Sequence, residues 1–385
     1  MRTIGILTGG GDVAGLNAVI RDITFGLLDS GREFNVVGIR RGWGGLVYMD
    51  PNDNTNISKH IMVLDKSNTR KIDRDGGTIL HTSRVSPLHV KNHPNLLRFR
   101  GIALEDKIDM NMTSDLIHNL ENLGIDTLVV IGGDDTLSYA RYLYKMGFKI
   151  IGVPKTMDGD VNGTDYCIGF SSAISRAKKD FKSLRTAFGS QEGIGVVEIF
   201  GRDSGFSALY TAYVAKPDRL IIPEVPFDIE RLAEFLVKDR MDSPSEYSCV
   251  IISEGSTIIG QGQVFISNIQ DGFGHPKLGG IGDKVAEYIK RTKGIDYISE
   301  RFRYLLRSGD PDPLDSFAAS QYASLAVNAI LNNEHGIMTA KRDGKYCSVP
   351  LNDSEGTKRV DVPNFYDAEN YIPLFNNPQG KSFIL

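Results

Sequence analysis

Short apolar runs, most of them followed closely by glycine, alternate with longer helix-like stretches: Ile4 to Leu7, Val36 to Ile39, Thr127 to Ile131, Ile150 to Val153, Val196 to Ile199 and Val250 to Ile252. Runs of this length with no polar alternation are what strands buried on both faces require, and the helical stretches between them supply the crossovers of a parallel sheet. The pattern predicts an α/β protein with largely parallel strands. With 385 residues the chain exceeds the usual size of one domain, so two domains are expected.

Open sheets of this kind place ligands at the carboxyl ends of their strands, which directs attention to the loops just after these runs. The first is Thr8-Gly9-Gly10-Gly11-Asp12, followed by an amphipathic helix expected from about Val13 to Leu28. Successive glycines let a phosphate approach backbone N–H groups while the helix N-terminus favours its charge. The same loop also fits a tight strand-to-helix turn, and Gly9, Gly11 and Ala14 have dinucleotide-binding spacing, although no acidic residue is clearly placed at a strand end about 20 positions on. The common NTPase phosphate loop is not matched, because Leu16 and Asn17 follow Gly15.

The second loop, Gly132-Gly133-Asp134-Asp135-Thr136, places two carboxylates at a strand end. Either they cap the helix that runs through Leu143, or they attend a hard oxygen-seeking ion such as Mg²⁺. The third, Pro154-Lys155-Thr156-Met157-Asp158-Gly159-Asp160, alternates a cation, a hydroxyl and two carboxylates. Asp158 and Asp160 suit proton acceptance from a substrate hydroxyl and support of a metal; a solvated polar turn is the alternative for any one of these residues alone.

Several classes are disfavoured. A net charge of -4 offers no basic face for a nucleic acid. Cys167, Cys249 and Cys347 lie far apart without metal-ligand spacing, as in a reducing compartment. No stretch approaches the roughly 18 apolar residues that span a bilayer, and no secretory leader is evident, so a cytoplasmic location without a membrane partner is expected. The histidines are scattered, and His81, near the proposed loops, reads as structural. The stretch from Asp50 to Ser58 reads as a polar loop, and the tail after Ser354 is rich in Pro and Asn.

Taken together and in order, the three loops resemble the phosphofructokinase family, as do Phe200-Gly201-Arg202 and Tyr304-Leu305-Leu306-Arg307; the resemblance runs from Arg2 to about Leu331. It implies two Rossmann-like three-layer α/β/α domains with the active site in the cleft between them. Residues 1–169 with about 306–355 would bind the phosphoryl donor, and 170–305 with about 356–385 the sugar phosphate. It further implies Asp158 as general base for the C1 hydroxyl of fructose 6-phosphate, Asp134 as the Mg²⁺ ligand, Asp160 as support, and Thr156 and Arg202 as residues that steady the transferring group. Gly10, Gly11, Arg84, Gly133, Asp135, Thr136 and Lys155 would bind the donor. Thr156, Met157, Asp158, Phe200, Gly201, Arg202, Glu254 and the segment Tyr304, Leu305, Leu306 and Arg307 would bind the sugar phosphate. A homodimer or homotetramer is the family habit.

In ATP-using members the positions of Asp135 and Lys155 are typically both glycine, which leaves room for the α-phosphate and nucleoside. The pair found here resembles the pyrophosphate-dependent branch: Asp135 repels an α-phosphate, and Lys155 offers an ammonium to the leaving phosphate. The alternatives are an ATP-dependent 6-phosphofructokinase and a sugar-phosphate-binding regulatory subunit. Two family arginines that bind the substrate phosphate are absent, Gly193 and Ile298 standing at their positions, and Arg301 or Arg303 replaces the second only if the loop is shifted. Of the family's effector-binding arginines Arg21 is matched, while Phe25 stands one helical turn later, so effector control is not expected.

Overall fold

All six apolar runs form strands in the computed structural model, which describes residues 1–91, 109–270, 274 and 276–375. Along the chain these are β1 (Arg2–Thr8), β2 (Phe34–Ile39), β4 (Ile125–Gly132), β5 (Ile150–Pro154), β6 (Ile194–Ile199) and β8 (Ser248–Ser253), with two further strands, β3 (Ile61–Val63) and β7 (Arg219–Ile221), between them. A hairpin of β9 (Phe265–Gln270) and β10 (Pro276–Leu278) precedes β11 (Tyr297–Phe302), and β12 (Ile337–Arg342) and β13 (Lys345–Pro350) follow. The two larger sheets are ordered β13-β12-β5-β4-β1-β2-β3 and β11-β6-β8-β7. The second is wholly parallel, and the first is parallel except for its edge strands β3 and β13.

The chain thus builds most of the first sheet, then the second, and returns to add β12 and β13 to the first. The return turn is legible in the sequence: Asp343 and Gly344 join β12 to β13 with φ of 49° and 76°, the double left-handed geometry of a two-residue hairpin. Among the described residues no helix is long and apolar enough to cross a membrane. None of the three cysteines forms a disulfide.

Some local readings change. Helix α1 (Leu16–Leu28) starts three residues later than expected, because Gly15 at its N-cap takes φ +97° and breaks the helical run from Val13. The polar stretch read as a loop holds a helix at Asn54–His60, nucleated where the Asp53 carboxylate accepts the Thr55 amide at 2.8 Å. The tail carries a small two-stranded ribbon, Tyr366–Asp367 with Ile372–Pro373, fixed to β7 by Leu220 N–H to the Tyr371 carbonyl, 2.8 Å, and Tyr366 O–H to the Leu220 carbonyl, 2.7 Å. Residues 376–385, the end of the segment assigned above to the sugar-phosphate domain, lie outside the described residues.

Two helices downstream of the third loop cap one another. After α2 (Asp134–Lys145), α3 (Phe170–Ser190) begins at Gly169 with no side-chain cap of its own. After α4 (Ile281–Lys293), the buried Asp315 in the first turn of α5 (Pro313–Leu331) supplies that cap. It accepts Gly169 N–H and Ser172 N–H at 2.8 Å each and Tyr166 O–H at 2.6 Å. Asp312 returns the favour for α5, accepting Asp315 N–H at 2.9 Å while Ser171 and Ser175 donate to it. Asp315→Ala orphans three buried donors and is expected to cost about 2–4 kcal/mol of stability. Urea denaturation checks this; a loss under about 0.5 kcal/mol would show that water replaces the cap.

Candidate active site

Across β1 the order of the first sheet reverses, with β2 on one side and β4 on the other, so the loops after β1, β4 and β5 open into one crevice. The loops after β6, β8 and β11 face it from the second sheet. Between them lies a cavity of about 690 Å³.

On the first-sheet side the wall contains Gly10, Gly11, Arg84, Gly133, Asp134, Asp135 and Thr136. Thr136 is buried between the two glycine loops; a Cβ on Gly9 would stand 2.6 Å from its side chain, and one on Gly132 would overlap it. Arg84 arrives because its neighbours clasp the first loop: Gly10 N–H donates to the Ser83 carbonyl at 3.0 Å, and Thr82 Oγ1 donates to the Gly10 carbonyl at 2.5 Å. Asp134 and Asp135 occupy the first turn of α2, where the helix dipole favours their charge, and Arg141 two turns on approaches Asp134 at 3.8 Å. The N-cap itself is Gly133, so neither aspartate takes the capping position.

The third loop forms the floor with Lys155, Thr156, Met157, Asp158 and Asp160. Lys155 is only 3% exposed, and its ammonium donates to the Gly11 carbonyl at 2.6 Å, above the glycine turn. Burial, aided by the Arg307 and Arg84 charges, pulls its pKa down to about 7. Asp158 N–H donates to Thr156 Oγ1 at 3.0 Å, which fixes the loop, while Asp158 Oδ1 is buried without a hydrogen-bond partner among the described residues. Burial raises the Asp158 pKa against the opposing pull of Arg307, Arg202, Lys155 and Arg84. Asp160 and Glu254 are each pushed up to about 7, chiefly by burial and next by the Asp158 charge.

On the second-sheet side stand Phe200, Arg202, Glu254, Tyr304 and Arg307. Tyr304 and Arg307 share one face of a single helical turn, whereas Leu305 points to solvent, 64% exposed, and Leu306 is buried in the core, so neither lines the cavity. Gly201 also lies off the wall; its φ of +139° turns the chain so that Arg202 enters. The Arg307 guanidinium stacks on Phe200 with its carbon 4.5 Å from the ring centroid, and a Cβ on Gly11 would overlap it.

Gly193 and Ile298 each have a structural setting of their own. A Cβ at Gly193 would meet the Asp296 carbonyl oxygen at 2.8 Å, so an arginine cannot stand there on this backbone. Ile298 is paired with Gly195 inside the second sheet and packs on the core. Arg301 is tied to Asp283, but Arg303 lines the cavity, as do Asp203, Lys277 and Leu278, which sequence reasoning missed. His81 is exposed and outside the wall; its carbonyl accepts Thr8 Oγ1 at 2.9 Å. Arg21 is engaged by Asp22 at 2.6 Å and stacks on Phe25.

Among the described residues no three Asp, Glu, His or Cys side chains could hold a metal by themselves. Asp134, Asp135 and Asp160 nevertheless present all-oxygen donors to the cavity, which fits Mg²⁺, an ion that binds through one or two carboxylates, waters and substrate phosphates.

Because the Asp160 pKa lies above its unfolded value, folding takes up a proton between the ordinary carboxylate range and about pH 7. That contribution is full below the unfolded pKa and is lost as pH rises through about 7. The stability of the ligand-free protein is therefore expected to fall between pH 5 and 7, more gently in Asp160→Asn, as read by chemical denaturation at several pH values. Parallel curves would remove Asp160 as a source of the slope.

The sequence matches the family model described as Phosphofructokinase over residues 3–330. It is 34% identical to a pyrophosphate--fructose 6-phosphate 1-phosphotransferase of Thermoproteus tenax over 93% of this chain and 94% of that protein. It is equally 34% identical to ATP-dependent 6-phosphofructokinase 2 of Clostridium perfringens, over 94% of each chain. The fold is similar to that of a pyrophosphate-dependent phosphofructokinase from Marinobacter aquaeolei, with a TM-score of 0.73 and 19% identity, covering 97% of this chain and 89% of that one. The architecture, the three loops and these matches agree: the chain belongs to the phosphofructokinase family.

Proposed function

We propose that this chain reversibly transfers a phosphoryl group from pyrophosphate to the C1 hydroxyl of fructose 6-phosphate, giving fructose 1,6-bisphosphate and inorganic phosphate, with Mg²⁺. The observation that carries the choice of donor is Lys155, whose buried ammonium sits over the Gly10–Gly11 turn. A small donor gains a cation there, while the passage of an α-phosphate loses space. Asp135 adds a carboxylate on the same wall.

In this reading residues 1–169 with about 306–355 serve the donor, and 170–305 with about 356–385 serve the sugar. Asp158 accepts the C1 hydroxyl proton as the oxygen bonds to phosphorus and the bridging P–O bond of pyrophosphate breaks. Its raised pKa places proton acceptance nearer neutrality. Lys155, Arg84, Arg202 and Arg307 spread positive charge across the transferring group and the departing phosphate, the main requirement of phosphoryl transfer. Mg²⁺, held by Asp134 with support from Asp160, would neutralise phosphate oxygens.

The second reading, ATP as donor, is favoured by the Clostridium perfringens relative of equal identity. Initial rates of fructose 1,6-bisphosphate formation with pyrophosphate or ATP in parallel separate the two, and activity with ATP alone would overturn the donor assignment. Asp158→Asn is expected to lower turnover by about 10³-fold in a folded protein, and a near-normal rate would remove it as the base. Asp135→Gly combined with Lys155→Gly is expected to raise the ATP rate relative to pyrophosphate by at least tenfold; an unchanged ratio would show that these side chains are not the filter.

A further inference from the structure

With no arginine at Gly193 or Ile298, the second-sheet wall must hold an anionic acceptor with other cations. Arg202 turns both terminal nitrogens towards the Pro276 carbonyl at 3.3 Å and acts strongly on Asp158, which places it near the transfer point. Arg307 lies over Gly11 and acts strongly on Lys155. Arg303 lines the same cavity beside Leu278 and Glu198.

Arg303 is also held in an unusual way. Its Nη2 donates to the Leu278 carbonyl at 3.2 Å and approaches Glu198 Oε1 at 3.4 Å. Glu198, 2% exposed, is itself fixed at the start of α4, where its Oε2 accepts Gly280 N–H at 2.8 Å and Gly282 N–H at 3.0 Å. The guanidinium passes over Gly279, whose φ is +128° and whose added Cβ would overlap Nη2. Its Nε is buried without a hydrogen-bond partner among the described residues. A guanidinium held in place at Nη2 and unmet at Nε keeps a directed, charged N–H donor for an oxygen of a phosphate monoester.

We propose that Arg303 binds the phosphate group of the acceptor and that Glu198 and Gly279 hold it in place to do so, resting on the reading of the acceptor as a sugar phosphate. Lys277, exposed on the same wall, adds attraction at the mouth. One chain then supplies the cation that the two absent arginines would have given.

The test compares binding of fructose 6-phosphate with binding of fructose, by calorimetry and by ligand-observed NMR, in the wild type, Arg303→Ala, Arg303→Lys and Gly279→Ala. The wild type should prefer the phosphorylated sugar. Arg303→Ala should lose about 10- to 100-fold of that preference with little change in fructose binding, as expected for a charge-assisted hydrogen-bonded contact. Arg303→Lys should restore part of it, and Gly279→Ala should lose most of it through displacement of the guanidinium. If Arg303→Ala keeps the wild-type preference, or weakens both sugars equally, the assignment is wrong and Arg303 only fastens the hairpin. If the wild type itself shows no preference for fructose 6-phosphate, the failure lies with the acceptor reading.

Discussion

The cavity is organised around burial of like charges that tolerate one another only because opposite charges are buried with them. Burial raises the pKa values of Asp158, Asp160 and Glu254, the Asp158 charge adds to the rise at the other two, and Lys155 is pulled down by its own burial and by two arginines. Removing any one side chain leaves its partners unbalanced in a poorly solvated place. The backbone therefore has to hold them firmly. It does so with the glycine loops that Thr136 fills, the Thr156 hydrogen bond to Asp158 N–H, and the Ser207 hydroxyl that donates to the Met157 carbonyl.

That firmness comes from the positions of the strand ends. Five of the strands, β1, β4 and β5 on one side and β6 and β8 on the other, are almost entirely buried, and with the edge strand β11 they deliver their loops to a common space. Glycine performs two separate tasks there. At Gly11 and Gly279 the missing Cβ makes room for a guanidinium, and at Gly201 positive φ turns the chain.

The central strands and the first three loops were legible because they combine continuous apolar runs with glycine and charge, a pattern set locally. The second-sheet wall was less so. β11, Tyr-Ile-Ser-Glu-Arg-Phe, is an edge strand whose Arg301 finds its partner, Asp283, on α4, and no local period reveals that pairing. The β9–β10 hairpin has little apolar content, so Lys277 gave no sign of its place in the wall. Tyr304 and Arg307 differ from Leu305 and Leu306 only by the i, i+3 spacing of one helical turn. Gly193 and Ile298 were visible as departures, but their setting is the closeness of β6 to β11, which only the register shows.

The return of the chain to the first sheet has a consequence for how the protein is made. β5 is an apolar strand buried by β4 on one side and β12 on the other, yet β12 lies about 180 residues later, after the whole second sheet. During synthesis its outer edge has no partner until β12 has been made, about 180 residues later. Over that interval an unpaired row of backbone donors and acceptors, flanked by Ile150, Ile151 and Val153, is open to strangers. The order of translation, rather than the final stability, sets the moment at which this chain is most exposed to aggregation.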